Sequence, residues 1–382
     1  MSVVFWLCLL LVGYTYAGYP LLLRAWLTMV GRRGGVAESG GASPPERVSV
    51  MIVAHNEAGR IAARIENLRQ CERPWETEVI VVCDGCSDDT AALAREASDP
   101  TTLPVRVVEQ EGRQGKASGL NRGVAEVRGG IIVFADARQR FHRLALTRLI
   151  APFSDPVVAA VSGNLDIAPS GEGAGAGIDA YWKLERYIRR LESDLDSVIG
   201  CTGAIYAIRR DAFEPLPADT ILDDVVIPMR VLLGGRRVLF ASDAMAFDPQ
   251  ELAPEKEKRR KIRTLAGNYQ MLFRYPEWLS PRRNRAWWQS ISHKYLRLAG
   301  PLFLAICLAT SVWLARDSVL FRFALGGQLG CYVLALLGLV FRAIRSPIFT
   351  APAGFVFLQW QGLRALFHYL RLRRSTQSGA WS

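Results

Sequence analysis

Cysteine is scarce in this 382-residue sequence, and its distribution does not suggest a disulfide framework. The seven cysteines are scattered, and three of them lie in apolar segments toward the ends of the chain. Cys83 and Cys86 have the spacing of half a zinc site, but no second Cys or His pair completes it. We therefore expect these two residues to be buried or half-buried thiols at the end of a strand.

Two further signatures are missing. The formal net charge of +11 could indicate a nucleic-acid binder, yet the sequence contains no recognisable reader motif. The Walker spacing of a P-loop is absent as well. Many of the Arg and Lys residues instead flank apolar blocks, which is what the positive-inside rule expects of a membrane protein. The composition therefore favours membrane lipids as partners and excludes nucleic acid.

Charge is also absent from residues 3–23, a stretch long enough to cross about 30 Å of hydrocarbon. Because Arg24 closes this stretch and the start is not basic, we expect an uncleaved anchor and not a signal peptide. Residues 299–315 and 319–341 read as two more membrane helices, whereas residues 346–358 could span the membrane or lie in its interface. The flanking basic residues predict a multi-pass protein of the inner or plasma membrane, with its middle part in the cytoplasm.

These patterns predict five segments. They are an N-terminal transmembrane anchor at residues 1–30, a linker at 31–46, a catalytic domain at 47–285, C-terminal transmembrane or interfacial helices at 286–371, and a tail at 372–382.

The middle of the chain alternates short apolar runs with helical patterns. Residues 48–54, 79–83, 105–108 and 131–134 read as buried strands, since they are apolar and mostly β-branched. Strands that alternate with helices indicate parallel crossover units. We therefore predict an α/β fold with a doubly wound, mainly parallel sheet and flanking helices.

Acidic residues follow two of these strands. Asp84 ends one strand and Asp136 follows another, so both should lie at the edge of the sheet where open α/β folds bind ligands. A carboxylate there can hold a divalent cation against a diphosphate. Lys116, flanked by glycines near a helix start, suits a phosphate. The alternatives are that Asp84 only shapes the turn and that Lys116 is a solvated loop residue.

A second acidic pair, Asp223-Asp224, precedes an apolar run. Two adjacent carboxylates repel each other, so the pKa of one should rise and allow it to act as a general base near neutral pH. The alternative is that both residues cap a helix. Earlier in the chain, residues 199–206 read as a strand in which Gly200 and Gly203 let the backbone approach a ligand.

The order of the segments VMIVAHNE, VVCDGCSDDT, GKASGLNRG and IIVFADAR resembles the nucleotide-binding half of family 2 inverting glycosyltransferases of GT-A fold, over residues 48–275. The resemblance implies that Asp84 contacts the base of a nucleotide-sugar and that Glu57 lies near the base and ribose. Asp136 matches the first Asp of a D-x-D pair that holds a diphosphate through Mg²⁺ or Mn²⁺. The second Asp is replaced by Arg138, so either Asp136 ligates the metal almost alone or Arg138 supplies part of the missing positive charge.

The same resemblance implies roles for two later segments. Thr202 and Gly203, in the CTGA segment, would lie along the donor and acceptor path. Asp224 would be the base that deprotonates the acceptor hydroxyl, with Asp223 as its neighbour.

A basic helix carries the remaining match, to the Q-x-x-R-W motif of polysaccharide synthases. Arg263 keeps the Arg of the motif and would bind the donor diphosphate together with Arg260, which replaces the Gln. Thr264 replaces the Trp, which weakens the case for a processive synthase. The alternative is a basic helix that lies on anionic lipid.

This resemblance implies that the chain is a membrane-anchored inverting glycosyltransferase. It would move a sugar from a UDP- or GDP-sugar to a glycan or lipid-linked acceptor in polysaccharide or cell-envelope glycan synthesis. One alternative is transfer to a polyprenyl phosphate, which needs no base. A second is a non-catalytic nucleotide-binding scaffold, against which the Asp223-Asp224 pair argues.

Overall fold

The computed structural model describes residues 1–31, 45–167, 173–249, 254–341 and 346–376, and these form two compact units. The sheet unit comprises described residues 45–167 and 192–249. The helical unit comprises described residues 1–31, 173–191, 254–341 and 346–376. Most of the predicted linker at 31–46 and the end of the predicted tail lie outside the described residues.

The sheet unit contains eight strands in the order β3-β2-β1-β4-β7-β6-β8-β5. In chain order they are β1 Arg47–Ala54, β2 Glu76–Asp84, β3 Val105–Gln110, β4 Ile131–Ala135, β5 Arg140–Phe141, β6 Val158–Ile167, β7 Ile205–Arg209 and β8 Arg237–Asp248.

The helices, in chain order, are α1 Ser2–Gly13, α2 Tyr19–Val30, α3 Ala58–Arg69, α4 Thr90–Glu96, α5 Lys116–Ala125, α6 Ala145–Ile150, α7 Gly173–Leu195, α8 Asp223–Leu233, α9 Pro254–Arg274, α10 Trp287–Gln289, α11 Leu296–Leu314, α12 Val319–Val340 and α13 Pro347–Thr376.

The first four strands of the sheet are parallel, with β1 between β2 and β4. Strand β7 is antiparallel to both β4 and β6, while β6 and β8 are parallel and β5 is antiparallel to β8. The prediction of a mainly parallel α/β sheet is confirmed. The antiparallel β7 matters for the site, because its start pairs with the end of β4 through Ala135 and Ile205.

Helices cover the central strands on both faces. Val48, Val50 and Ile52 of β1 share one apolar core with buried residues of α3, α4 and α6. Met51 and Val53 point to the opposite face, as alternation along a strand requires, and there α5 packs closely. This double cover explains why the central strands are continuous apolar runs.

Three helical segments of the helical unit are long and apolar enough to cross a membrane, among the residues that the structure describes. They are Ser2–Val30, Trp287–Leu314 and Val319–Val340. The first includes α1, a π-helical turn and α2, and the second includes α10, a π-helical turn and α11. The two C-terminal spans agree with the expected membrane helices, and these segments indicate a membrane protein.

A charged cluster lies within the helical unit, between α7 and the segment Trp287–Leu314. Glu185 accepts hydrogen bonds from Arg297 Nη1 at 2.6 Å and contacts His293 Nε2 at 2.9 Å. Arg297 also donates to the Tyr181 hydroxyl at 3.0 Å. Burial alone would raise the pKa of Glu185, but His293 and Arg297 outweigh it and hold that pKa well below its usual value. The cluster therefore ties α7 to an apolar helix of the same unit.

Candidate active site

The loops that follow β1 and β2 are hydrogen-bonded to each other. The Asn56 side chain bonds to Ser87 through its Nδ2 at 3.1 Å and accepts the Ser87 N–H at 2.9 Å. The Glu57 N–H donates to Thr90 Oγ1 at 2.8 Å. Glu57, which precedes α3, also pairs with Arg60 at 3.1 Å. The candidate donor residue Glu57 therefore lies beside the loop that follows Asp84.

Asp84, at the end of β2, is only 3% exposed and holds the loop before α5. Its Oδ1 accepts the N–H of Gln114 at 2.6 Å, and its Oδ2 accepts the N–H of Gly115 at 2.8 Å. Gly115 has a φ of 90°, which disfavours any side chain, and directly precedes the first residue of α5. Because that residue is Lys116, Asp84 fixes the position from which the Lys116 side chain extends.

The ammonium group of Lys116 lies between two carboxylates. Its Nζ is 3.2 Å from Asp136 Oδ1 and 3.5 Å from Asp223 Oδ2. The Lys116 and Asp136 side chains are 37% and 39% exposed, whereas the Asp223 side chain is 8% exposed. Burial acts to lower the pKa of Lys116, but Asp136, Asp223 and Asp224 together raise it above its ordinary value. Lys116 is therefore a permanent cation that contacts the acidic residues of the site.

Asp223 is the first residue of α8 and has a second partner in the Tyr206 hydroxyl, which donates to its Oδ2 at 3.2 Å. Tyr206 is fully buried in β7 and stacks on Phe134 of β4 with ring centroids 4.6 Å apart. Burial, followed by the charges of Asp223 and Asp224, raises the pKa of Tyr206 well above its usual value. Tyr206 thus remains a hydrogen-bond donor that orients Asp223.

Asp224 contacts a different part of the chain. Its Oδ2 accepts the N–H of Gly203 at 3.1 Å, and its main-chain carbonyl accepts the N–H of Cys201 at 2.7 Å. A Cβ atom on Gly203 would lie only 2.8 Å from the same Oδ2, so this approach requires glycine. Thr202, between them, donates its N–H to Ser162 Oγ at 2.9 Å. Asp224 is half-buried, and is therefore more accessible than Asp223.

Two local predictions need correction. The strand predicted over residues 199–206 begins only at Ile205, because the preceding backbone turns to bond with Asp224. The alternative that Asp223 and Asp224 cap a helix is wrong, since the cap position is Leu222 and no side chain makes a capping hydrogen bond there. Both carboxylates lie in the first turn of α8, where the helix dipole favours negative charge.

Three arginines complete the set of candidate residues. Arg138 is 11% exposed, and its Nη2 is 2.6 Å from Asp248 Oδ2. Arg263 is exposed on α9 in the helical unit. The side chain of Arg260 lies outside the described residues. The roles predicted for Arg260 and Arg263 stay predictions.

The metal-ligating side chains in the described part of the chain do not form a metal site by themselves. Among those residues, no group of three or more His, Cys, Asp or Glu is arranged to hold an ion. Cys83 is buried and Cys86 is half-buried, and both are free thiols, as expected from the incomplete zinc spacing. Asp136 remains as a half-exposed carboxylate, but Lys116 already contacts it.

Tyr206 is the functional residue that sequence reasoning missed. The sequence pattern places Tyr206 only at the end of an apolar strand, and its hydroxyl gives no signal in a pattern of buried positions. The one signal available was general, since a polar atom on a buried strand needs a hydrogen-bond partner.

The chain is similar in sequence to known proteins. Residues 49–216 match the family described as "Glycosyl transferase family 2". A poly-beta-1,6-N-acetyl-D-glucosamine synthase of Staphylococcus epidermidis is 23% identical over 277 residues, which cover 70% of this chain and 63% of the relative. The corresponding synthase of Staphylococcus aureus is 25% identical over 60% of this chain and 56% of its own length. The chain thus spans about three fifths of these curated relatives.

Among solved structures, a mannosyltransferase from Pyrobaculum calidifontis in complex with GDP-Man and Mn²⁺ has a TM-score of 0.71 and 20% identity. The match covers 96% of this chain and 99% of the mannosyltransferase. At that identity the similarity concerns the fold.

Proposed function

The chain carries a family 2 glycosyl transferase domain, and from this premise we propose that it is a membrane-anchored inverting glycosyltransferase. It moves a sugar from a nucleotide-sugar donor to a glycan or lipid-linked acceptor, in the synthesis of a polysaccharide or cell-envelope glycan. The observation that carries the proposal is the meeting of Lys116, Asp136, Asp223 and Asp224 at the carboxyl edge of the sheet. Open α/β sheets bind their ligands at that edge.

In this reaction Asp224 takes the proton of the acceptor hydroxyl. The acceptor oxygen then forms a bond to the anomeric carbon of the sugar, while the bond from that carbon to the diphosphate breaks and its electron pair leaves with the diphosphate. The Gly203 N–H holds one Asp224 oxygen in place, so the base is oriented before the acceptor arrives. Lys116 is the cation positioned to stabilise the negative charge of the leaving diphosphate.

The other donor contacts are part of the same proposal. Asp84 and Glu57 lie on hydrogen-bonded neighbouring loops, which supports a shared role in holding the base and ribose of a UDP- or GDP-sugar. Thr202 and Gly203 adjoin Asp224, which supports their assignment to the acceptor path. Arg263 and Arg260 are assigned to the departing diphosphate from the sequence motif alone.

The Mn²⁺ of the mannosyltransferase supports a divalent cation in this chain's reaction as well, either Mg²⁺ or Mn²⁺. Asp136 is the residue that would hold the ion, and donor phosphate oxygens would have to supply further ligands, because the described residues offer no cluster of three. When bound, such an ion would neutralise charge on the diphosphate.

Three apolar segments support a multi-pass protein of the inner or plasma membrane. The basic residues that flank them, among them Arg32 and Arg33, support a cytoplasmic catalytic unit, where nucleotide-sugars are available. A membrane-impermeant thiol reagent, applied to intact cells that express single-cysteine variants, tests this orientation. If a cysteine introduced into the sheet unit is labelled in cells that are still intact, the cytoplasmic orientation is contradicted.

The test of the activity is a panel of nucleotide-sugars, incubated with the purified membrane protein with and without Mg²⁺ or Mn²⁺, and scored for release of nucleoside diphosphate. One donor should be hydrolysed or transferred. Asp224→Asn should then lower kcat by about 100-fold or more, the usual contribution of a general base. The matched control is Asp243→Asn, which alters a surface carboxylate paired with Arg148 and should not change the rate.

The outcome separates the alternatives. A modest loss in Asp224→Asn with a polyprenyl-phosphate acceptor would indicate a reaction that needs no base. Donor binding without nucleotide release, with every acceptor fraction tried, would contradict catalysis and favour a binding scaffold.

A further inference from the structure

The acidic centre of the sheet unit already contains a cation of its own. Lys116 Nζ lies 3.2 Å from Asp136 Oδ1 and 3.5 Å from Asp223 Oδ2. The Tyr206 hydroxyl donates to the same Asp223 oxygen, so this oxygen is shared by two donors. Lys116 therefore contacts Asp136, the residue through which a divalent ion would be held, and Asp223 beside it.

The position of Lys116 is fixed at its backbone and adjustable at its side chain. Asp84 binds the N–H groups of the two residues that precede Lys116, and α5 begins at Lys116 itself. The side chain is nevertheless 37% exposed and carries four rotatable methylene carbons, so its ammonium group can move without unfolding the loop. The ammonium group can thus move toward a ligand while the loop keeps its position.

A divalent cation on Asp136 would conflict with this arrangement. Such ions lie about 2.0–2.6 Å from a carboxylate oxygen. The Lys116 nitrogen is 3.2 Å from the Asp136 oxygen, so the ion and the ammonium would be close enough to repel each other strongly. Among the described residues, no group of three or more Asp, Glu, His or Cys side chains is arranged to hold an ion in competition with Lys116.

We propose that Lys116 acts as a built-in counter-ion that excludes divalent metal from the donor-free protein. The diphosphate of the donor attracts the Lys116 ammonium toward its own oxygens, and it also supplies ligands to the metal. The metal and the nucleotide therefore bind together, and the metal does not bind first. This inference rests on the proposed function for the identity of the diphosphate, but the exclusion of metal does not depend on activity.

The experiment measures Mn²⁺ uptake by the full-length protein in nanodiscs, from the loss of the free-Mn²⁺ signal in electron paramagnetic resonance. Without nucleotide, the wild type should take up no Mn²⁺ beyond that of empty nanodiscs. Lys116→Met should bind Mn²⁺ at least about tenfold more tightly than the wild type. Lys116→Arg keeps the positive charge and should behave as the wild type, as should the control Lys183→Met, which removes an exposed lysine of α7.

A second measurement keeps the test decisive if Lys116→Met fails to fold. The wild type should take up Mn²⁺ when UDP or GDP is added, after subtraction of the Mn²⁺ held by the nucleotide alone, and Asp136→Asn should abolish this uptake. Binding of Mn²⁺ to the nucleotide-free wild type that Asp136→Asn removes would overturn the proposal. So would a folded Lys116→Met variant that takes up no more Mn²⁺ than the wild type.

These results are separable from the glycosyltransferase assignment. If no donor of the panel is consumed while Lys116→Met gains Mn²⁺ binding, the proposed function fails and the role of Lys116 stands. If a donor is consumed while the nucleotide-free wild type binds Mn²⁺ through Asp136, the function stands and the role of Lys116 fails.

Discussion

Replacing Gly203 by alanine tests whether catalysis depends on the position of the Asp224 carboxylate. The new Cβ would lie 2.8 Å from Asp224 Oδ2 and 3.3 Å from its Cγ. Because non-bonded heavy atoms pack at about 3.5 Å or more, the carboxylate must retreat by roughly 0.7 Å. The hydrogen bond from the Gly203 N–H, now 3.1 Å long, would be lengthened or lost.

The expected effect is on turnover and not on donor binding. A misplacement of about 1 Å in a reacting group can cost about 100-fold in rate. For Gly203→Ala we therefore expect kcat to fall by about 10- to 100-fold, which corresponds to roughly 1.4–2.7 kcal/mol of transition-state stabilisation. The KM for the nucleotide-sugar should change little, because the contacts that we assign to the donor lie on other loops.

Steady-state release of nucleoside diphosphate at saturating acceptor measures this effect. The matched control is Gly59→Ala, since a Cβ on Gly59 of helix α3 would have nothing within 4 Å. Alanine is the better helix former by about 1 kcal/mol, so this variant should keep the wild-type rate and melt slightly higher. A Gly203→Ala variant with both the wild-type melting temperature and the wild-type kcat would refute the reasoning.

Two further substitutions test the Asp84 hydrogen bonds of the sheet unit and the Glu185 cluster of the helical unit. Asp84→Ala removes the acceptor of two N–H groups that position Lys116. We expect the free energy of unfolding to fall by about 1–3 kcal/mol and the KM for the donor to rise. Asp84→Asn keeps one acceptor oxygen and should therefore lose less stability. Glu185 has a depressed pKa in the folded protein, so its contribution to stability is fully present above its unfolded pKa of about 4.3. That contribution is lost as the pH falls from this value through the lower pKa of the folded state. Thermal melting between neutral and acidic pH should therefore show a steeper acid loss for the wild type than for Glu185→Gln, and parallel curves would contradict this.

The sequence was sufficient to locate the acidic residues of the site. The apolar runs before Asp84 and Asp136 are continuous, as buried parallel strands require, and both carboxylates do follow strands of one sheet. Since parallel strands end at the same edge, the strand assignment alone places both carboxylates at that edge. The helix at Asp223 and Asp224 was foreseen only as an alternative, in which both residues cap it, whereas they lie in its first turn.

The direction of β7 and the two-residue strand β5 could not be predicted. An apolar run is the same whether its strand is parallel or antiparallel, and two residues are too few to show a period. The contact of Lys116 with Asp136 and Asp223 was also hidden, because it joins three segments that are far apart in the chain. Local patterns place side chains on elements, but such contacts depend on how the elements pack.

The different contacts of the two adjacent carboxylates explain how one pair can serve two purposes. Asp223 is 5% exposed, and its Oδ2 contacts the phenol of Tyr206 and the ammonium of Lys116, which together restrict its motion. Asp224 is half-buried, and its Oδ2 accepts the backbone N–H of Gly203. A base must reach a proton on the acceptor, whereas a positioning group must not move. This difference supports our proposal that Asp224 transfers the proton, while Asp223 holds Lys116 beside Asp136.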